Sequence, residues 1–312
     1  MHIQGMNYKF LNISHKKRCI SVGEDSMNSA KEARGKYLLA NALAAKSLQK
    51  NKKQGLTVCP AVLNTFVDDR MIAYRLDLGL LEIPVNLIAG VAESSEKSML
   101  YTKEFLPISA PDSEFANTWR GIYEKYLNHE EIFSEISCYE YLGKFYVLDG
   151  LKRVSVTKFL GTPTMKAQVV RIIPIRTDVK EVERYFDFLG QYRLTQLYQL
   201  QFTQQGFFDQ LQIALGKSVN YRWSEGDRSR FLMHWYTIEE AFRKSYGETL
   251  NITTADALVV LLRKYPYEQI IRMESWILAR IFQASWKELC ALSLPELTVV
   301  GIKPQVPQLQ TA

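Results

Sequence analysis

Cysteine and histidine are scarce in this sequence, with four of each among 312 residues. The cysteines are far apart in the chain and form no Cys-x-x-Cys pair, and the histidines are equally scattered. This spacing argues against a disulfide framework and against a zinc site. We therefore expect reduced thiols and no bound transition metal at Cys19, Cys59, Cys138 and Cys290.

Long apolar runs and a strong excess of charge are also missing. The longest apolar stretch, residues 80–92, is interrupted by Glu82, Pro84 and Asn86, so it is too short and too polar to cross a bilayer. The first residues lack the continuous apolar core of a secretion signal. We expect no membrane association and a cytoplasmic protein. The net charge of +6 is compatible with a phosphate-bearing partner, but a surplus of this size usually reflects solubility.

Composition and periodicity divide the chain into three zones. Residues 1–54 comprise a polar leader and a helix that we predict from Ser29 to about Lys53, where Ala, Leu, Lys and Gln dominate. Residues 55–190 alternate strand and helix signals, which predicts a small mixed α/β domain with flanking helices. Residues 191–312 have mainly helical periodicity and predict a helical C-terminal domain.

Within the middle zone, several elements can be placed from their flanking residues. The segment "EIPVNLIAG" has the pattern of a short apolar strand, and "DSEFANTWRGIYEKYL" that of a helix capped by Asp112 or Ser113. The strands "EISCYEYL" and "KFYVLD" are predicted to meet at a hairpin turn around Gly143-Lys144. A helix over 151–160, ended by Gly161, and the strand "KAQVVRIIPI" follow.

The stretch "FYVLDGLKRVSVTKFLG" predicts a strand that turns directly into a helix at a glycine. The start of a helix leaves backbone N–H groups unpaired and has a partial positive charge, so it can seat an anion. Lys152 and Arg153 would add charge, and Ser155 a hydroxyl. Asp149 would repel a phosphate unless it binds Mg²⁺ or accepts a proton. The alternative is an ordinary turn in which Gly150 supplies a positive φ and the cations are solvated.

The same stretch, followed by "MKAQVVRI", resembles the signature of the ParB/sulfiredoxin superfamily, particularly of bacterial ParB-like proteins. The segments "EIPVNLIAG", "EFLPI", "SEFANTW" and "YEYLGKFYV" occur in the order typical of that family, so the resemblance covers roughly residues 57–175. It implies a ParB/sulfiredoxin-like sheet and a nucleotide, ATP or CTP with Mg²⁺, as ligand. It also implies a phosphate role for Gly150, Leu151, Lys152 and Arg153, and a metal or base role for Asp149.

The chain departs from the family pattern at three places. Leu151 replaces the cysteine that sulfiredoxins need, which excludes their repair chemistry, and it also replaces the Asn of other relatives. The segment "GVAESSEKS" retains Gly90 but lacks the family's arginine; Ser94, Ser95 and Lys97 are candidate substitutes there, although a polar loop is more often only solvated. Thr118 stands where relatives have Lys. Glu114 is a candidate catalytic acid, or simply a first-turn acid favoured by the helix dipole.

Three functions therefore remain open, and with them the question of whether the chain is an enzyme. The first is a nucleotide-binding protein, an ATPase or a small-molecule kinase with phosphates on the Gly150 helix. The second is a DNA-associated protein of the partition type, for which a homodimer would be expected. It is disfavoured because Pro266 interrupts the region where a helix-turn-helix would lie. The third is a non-catalytic adaptor that has kept the fold and lost the ligand.

Overall fold

The computed structural model of the chain describes residues 22–128 and 135–293. Residues 1–21 of the predicted leader, with Cys19, and the residues after 293 lie outside this part. Its helices are α1 (Val22–Lys53), α2 (Glu114–Leu127), α3 (Leu151–Leu160), α4 (Lys180–Thr195), α5 (Phe207–Ala214), α6 (Glu225–Lys244), α7 (Thr254–Leu262), α8 (Tyr267–Ile270), α9 (Ser275–Ala284) and α10 (Trp286–Leu292). Its strands are β1 (Ala61–Val62), β2 (Ile72–Pro84), β3 (Ile88–Val91), β4 (Ile136–Tyr141), β5 (Lys144–Asp149) and β6 (Thr164–Pro174).

The six strands of the described chain form one mixed sheet in the order β1-β3-β5-β4-β6-β2. Strands β1, β3 and β5 are parallel, and β4 lies antiparallel to β5 and parallel to β6. Strand β2 pairs antiparallel with β6 and forms one edge. A mixed sheet with flanking helices and a helical C-terminal region confirms the predicted α/β class. Because β3 and β5 are parallel neighbours, the loops after them leave the sheet at the same edge.

The main core of the sheet lies on one of its faces. Phe145 and Val147, two residues apart on β5, point to this face and are fully or almost fully buried. Helix α3 covers them with Val154, and α4 covers them with Tyr185 and Phe188. The predicted domain boundary at residue 190 thus falls inside a helix that packs on the sheet.

Helices α1, α2 and α3 pack against each other around Trp119. The Trp119 ring contacts Tyr37 of α1 edge-on, at 5.3 Å between centroids, and Phe159 of α3 at 5.6 Å. All three rings belong to one apolar cluster, which also contains Val156 of α3. This packing fixes the first turns of α2 and α3 beside each other.

The helical region after α4 has its own core, in which Trp235, Leu258 and Phe282 are buried. Two of its helices begin with reciprocal hydrogen bonds of the capping-box type, at Ser224 for α6 and at Thr253 for α7. No helix in the described ranges is long and apolar enough to cross a membrane.

Two local predictions need correction. The β4–β5 hairpin turns at Leu142-Gly143, one residue earlier than predicted, and both residues have positive φ values of 49° and 74°. This is the combination that a tight two-residue hairpin turn requires. The segment "EIPVNLIAG" is not one strand, because a single 3₁₀ turn at Val85–Leu87 separates the end of β2 from β3.

Candidate functional site

The turn between β5 and α3 has the geometry that the sequence predicts. Strand β5 ends at Asp149 and α3 begins at Leu151, with Gly150 between them in the left-handed region at φ 102° and ψ 21°. A Cβ on Gly150 would lie 2.5 Å from Cγ2 of Ile136. Glycine is therefore required by the backbone and by packing, whether or not a ligand binds.

The N-terminus of α3 has no side-chain cap. Gly150 occupies the N-cap position and has no side-chain oxygen that could accept from the first turn. Its backbone carbonyl accepts the first helical hydrogen bond, from the Val154 N–H at 3.0 Å. The preceding N–H groups of the first turn have no acceptor within the helix. Together with the helix dipole, they favour an anion at this end of α3.

Arg153 is held against the turn by two acceptors. Its Nη2 donates to Oδ2 of Asp149 at 2.9 Å, and its Nη1 donates to the carbonyl of Glu135 at 3.1 Å. The Arg153 side chain is 17% exposed, whereas that of Asp149 is 81% exposed. The guanidinium is thus fixed in position and partly neutralised, and the carboxylate remains open to solvent.

Lys152 and Glu114 lie at adjacent helix starts. The Lys152 ammonium is 5.3 Å from the centroid of the Phe115 ring, which places the first turn of α2 next to that of α3. Glu114 is exposed at the first position of α2, directly after the N-cap Ser113, whose hydroxyl accepts from the Ala116 N–H at 3.1 Å. The helix dipole accounts for an acid at this position without a catalytic role.

Ser155 and Leu151 face inward rather than toward the opening of the turn. Ser155 is fully buried, and its hydroxyl accepts a hydrogen bond from Nε1 of Trp119 at 2.9 Å. This bond joins α2 to α3, so a phosphate outside the turn cannot reach the hydroxyl. Leu151 is partly buried and packs against the core of the sheet. The structure thus gives both residues packing contacts at positions where the sequence suggested ligand contacts.

Gly90 and Ser94 belong to the neighbouring strand β3 and the loop after it. A Cβ on Gly90 would lie 2.1 Å from the carbonyl oxygen of Ala61, so the close approach of β1 requires glycine there. Ser94 is exposed and lies in the loop after β3, which leaves the sheet at the same edge as Asp149. The next part of this loop is a hydrogen-bonded turn in which the Ser98 hydroxyl donates to the carbonyl of Ser95 at 2.7 Å.

No group of three or more His, Cys, Asp or Glu side chains in residues 22–128 and 135–293 is arranged to hold a metal ion. Asp149 is a single exposed carboxylate. A Mg²⁺ ion bound there would need most of its six oxygen ligands from phosphate groups and water, which is the usual arrangement for this ion in phosphate chemistry.

No protein-family model, curated protein or solved structure matches this chain. The resemblance to the ParB/sulfiredoxin superfamily therefore stays a prediction. What the turn can bind follows from its own geometry.

Glu140 of β4 and Arg171 of β6 form a buried ion pair that was not predicted from the sequence. The Glu140 carboxylate also accepts from the Gly143 N–H at 2.8 Å and from the Tyr185 hydroxyl at 2.9 Å. Arg171 donates through Nη2 to the Tyr198 hydroxyl at 2.6 Å. Burial, and next to it the Glu140 charge, raise the pKa of both tyrosines well above the ordinary value, so both stay protonated.

The pair does leave a signal in the sequence. Glu140 lies two residues after Cys138 on β4, and Arg171 lies between Val169 and Ile173 on β6, so both occupy positions on the buried face of a strand. A charge at such a position predicts a buried partner of opposite sign.

Proposed function

We propose that the β5–α3 turn binds the phosphate groups of a nucleotide, ATP or CTP. The observation that supports this proposal is the uncapped N-terminus of α3 with the Arg153 guanidinium fixed beside it. Backbone N–H groups, the positive end of a helix dipole and a planar guanidinium are the groups that recognise phosphate oxygens. The location also fits, because ligands of α/β sheets commonly bind outside the carboxyl ends of parallel strands.

Each residue of the turn would have a distinct part in binding. The N–H groups of the first turn, beginning with Leu151, would contact one phosphate, and Arg153 would donate to its oxygens. Lys152 would add a point charge from the side of α2. Mg²⁺, when bound with the nucleotide, would neutralise the phosphate charge. Asp149 is exposed enough to hold that ion, directly or through water, or to accept the proton of an attacking hydroxyl.

The Asp149–Arg153 ion pair makes the proposal specific. A phosphate that takes a hydrogen bond from Arg153 competes with the Asp149 carboxylate, which holds the same Nη2 at 2.9 Å. Without Mg²⁺ the two anions repel each other, and with Mg²⁺ the carboxylate gains a partner. We therefore expect Asp149→Asn to tighten binding of the metal-free nucleotide and to weaken its dependence on Mg²⁺.

Calorimetric titration with ATP, ADP, CTP and GTP, with and without Mg²⁺, tests the proposal. Loss of a charge-assisted hydrogen bond of about 1.5–3 kcal/mol should raise the dissociation constant of Arg153→Ala roughly 10- to 100-fold. The same change should cost about 1–2 kcal/mol in stability, because it also removes the hydrogen bond to the Glu135 carbonyl and a side chain that is only 17% exposed. Lys166→Ala, which removes an exposed cation on β6, is the matched control and should bind like the wild type.

A non-catalytic adaptor is the second candidate, and one observation favours it. Arg153 already donates to two acceptors in the protein, and the Ser155 hydroxyl accepts from Trp119. These polar groups therefore have hydrogen-bond partners without a ligand. If the wild type binds none of the four nucleotides at millimolar concentration, the adaptor role replaces the proposed one.

A further inference from the structure

A cleft of about 380 Å³ lies between the sheet and the helical region. It opens at the end of β5 opposite to the phosphate turn, because Lys144 is the first residue of β5 and Asp149 is the last. Its walls come from both regions, with Lys144 and Leu87 from the sheet side and Trp235, Phe242 and Arg243 from α6. A volume of this size is at the lower end of the range for small-molecule sites, roughly 300–1,000 Å³.

Two cations of the cleft form no ion pair in the described chain, although Arg243 is near enough to Glu240 for its charge to lower the pKa of that carboxyl, after the larger effect of the Lys244 hydrogen bond. Arg243 and much of the Lys144 side chain are exposed, but the Lys144 ammonium lies in surroundings whose burial lowers its pKa. Neither residue forms an ion pair with a carboxylate of residues 22–128 or 135–293. The one acid in the wall, Glu239, accepts a hydrogen bond from Nδ2 of Asn86 at 2.7 Å. The cleft therefore has a net positive charge, and that charge is not neutralised by an ion pair at either cation.

Trp235 gives a second, independent sign of a ligand. Its side chain lines the cleft and is 2% exposed, and its indole Nε1 has no acceptor among the described residues. Buried tryptophan N–H groups normally find a partner. Trp119 donates to Ser155 at 2.9 Å and Trp223 donates to Oε1 of Gln212 at 2.7 Å. The buried indole N–H groups of Trp119 and Trp223 thus have acceptors within the described chain, whereas that of Trp235 has none.

We infer that this cleft binds a small organic anion that consists of one carboxylate on an apolar body. Lys144 and Arg243 would attract and hold the carboxylate, and an acceptor atom of the ligand would satisfy the Trp235 N–H. The Phe242 and Leu250 side chains supply the apolar wall. A single negative charge matches the cleft's two cations and one acid. The inference is independent of the nucleotide proposal, since the two sites share no residue.

Indole resonances of ¹⁵N-labelled full-length protein test the inference directly. The chain has five tryptophans, so Trp235→Phe assigns the relevant signal. The probes are 1-naphthoate and octanoate, and 1-naphthamide is the neutral control for the first. We expect the naphthoate to shift the Trp235 N–H signal more than the other four and to bind about tenfold more tightly than the amide.

Cation variants decide which groups hold the carboxylate. Lys144→Met and Arg243→Met should each weaken naphthoate binding about tenfold, as expected for one charge-assisted hydrogen bond. Arg280→Met removes an exposed cation on α9, outside the cleft, and should leave binding unchanged. The Lys144 and Arg243 side chains reach solvent, so both variants should fold. If one variant does not fold, the other variant and the comparison of naphthoate with naphthamide still show whether the cleft holds a carboxylate.

Any of four results would overturn the inference. The first is that neither probe binds at millimolar concentration, which would make the cleft a hydrated boundary between two regions. The second is equal binding of naphthoate and naphthamide. The third is binding that leaves the Trp235 signal unshifted. The fourth is binding that Arg280→Met weakens as much as Lys144→Met and Arg243→Met do.

Discussion

At the residue scale, the buried pair of Glu140 and Arg171 has the largest expected effect on stability. Both side chains are almost completely removed from water, and hydrogen bonds from Gly143 and Tyr185 satisfy the carboxylate further. Taking two charges out of water costs several kcal/mol for each ion, and the attraction between them offsets this cost only while both are present. Removal of one partner therefore does more harm than removal of both.

We expect Arg171→Met to lower the free energy of unfolding by about 3–5 kcal/mol, because it leaves the Glu140 carboxylate buried without its counterion. The double variant Glu140→Leu/Arg171→Met should recover more than half of that loss. Urea denaturation of the three proteins measures both values. A double variant that is no more stable than Arg171→Met alone would contradict this account of the pair.

Lys158 of α3 makes stability depend on pH. Its ammonium donates to the carbonyl of Ile88 at 2.9 Å and lies 5.1 Å from the centroid of the Phe105 ring. Burial lowers the pKa of Lys158 to about 8 from its ordinary 10.5, and the nearby Glu104 charge opposes this shift only in part. The folded protein therefore holds this proton less tightly than the unfolded chain.

The sign of the effect follows from proton counts. Between about pH 8 and pH 10.5 the unfolded chain binds the Lys158 proton and the folded protein does not, so stability rises with pH. Below pH 8 both states bind the proton, and the folded protein bears the full free-energy cost of burying the Lys158 charge. Relative to Lys158→Met, the wild type should gain about 1 kcal/mol between pH 7 and pH 9. Equal pH profiles for the two proteins in chemical denaturation would show that Lys158 titrates normally.

At the element scale, the glycines at the two ends of α3 allow the cost of backbone strain to be compared with the cost of crowding the core. Both have positive φ, 102° at Gly150 and 70° at Gly161, but a Cβ would meet Ile136 at the first and open space at the second. Gly161→Ala should cost about 1 kcal/mol, for the left-handed backbone alone. Gly150→Ala should cost at least about 1 kcal/mol more, because it also crowds the core.

Thermal or chemical unfolding of the two alanine variants measures the difference. Similar losses in both would mean that Ile136 moves aside easily and that the β5–α3 turn is more adaptable than its packing indicates. Nucleotide titration of Gly150→Ala is informative as well, since a changed turn should weaken phosphate binding even in the fraction that folds.

Strong local signals made α3 and its turn predictable. Glycines at both ends and an apolar strand before the first one fix the bounds of β5 and α3 without information from the rest of the chain. Strand β2 gave no such signal, because it is an edge strand with an irregularity between Asp77 and Gly79 that interrupts its alternation. The cleft around Trp235 could not be predicted, since it exists only where the sheet and the helical region, each with its own apolar core, meet.

At the scale of the whole molecule, sequence-specific DNA binding is disfavoured. The net charge of +6 is small, and α7 is almost entirely buried in the helical core. Helix α8 after it has four residues, too few to read the major groove. We expect mobility shifts at physiological salt to show no discrete site. A complex at nanomolar concentration that survives competitor DNA would restore the partition-type role.

The sheet order also determines when the sheet can be completed during synthesis. Strand β2 pairs only with β6 in the described chain, and Leu80 of β2 lies opposite Gln168 of β6. At a translation rate of about 5–20 residues per second, the ribosome needs roughly 4–18 s to add the residues between them. For that interval a 13-residue strand with exposed Tyr74, Leu76 and Leu80 has no partner. The nascent chain is then most exposed to misassociation, which gives chaperones a defined window of action.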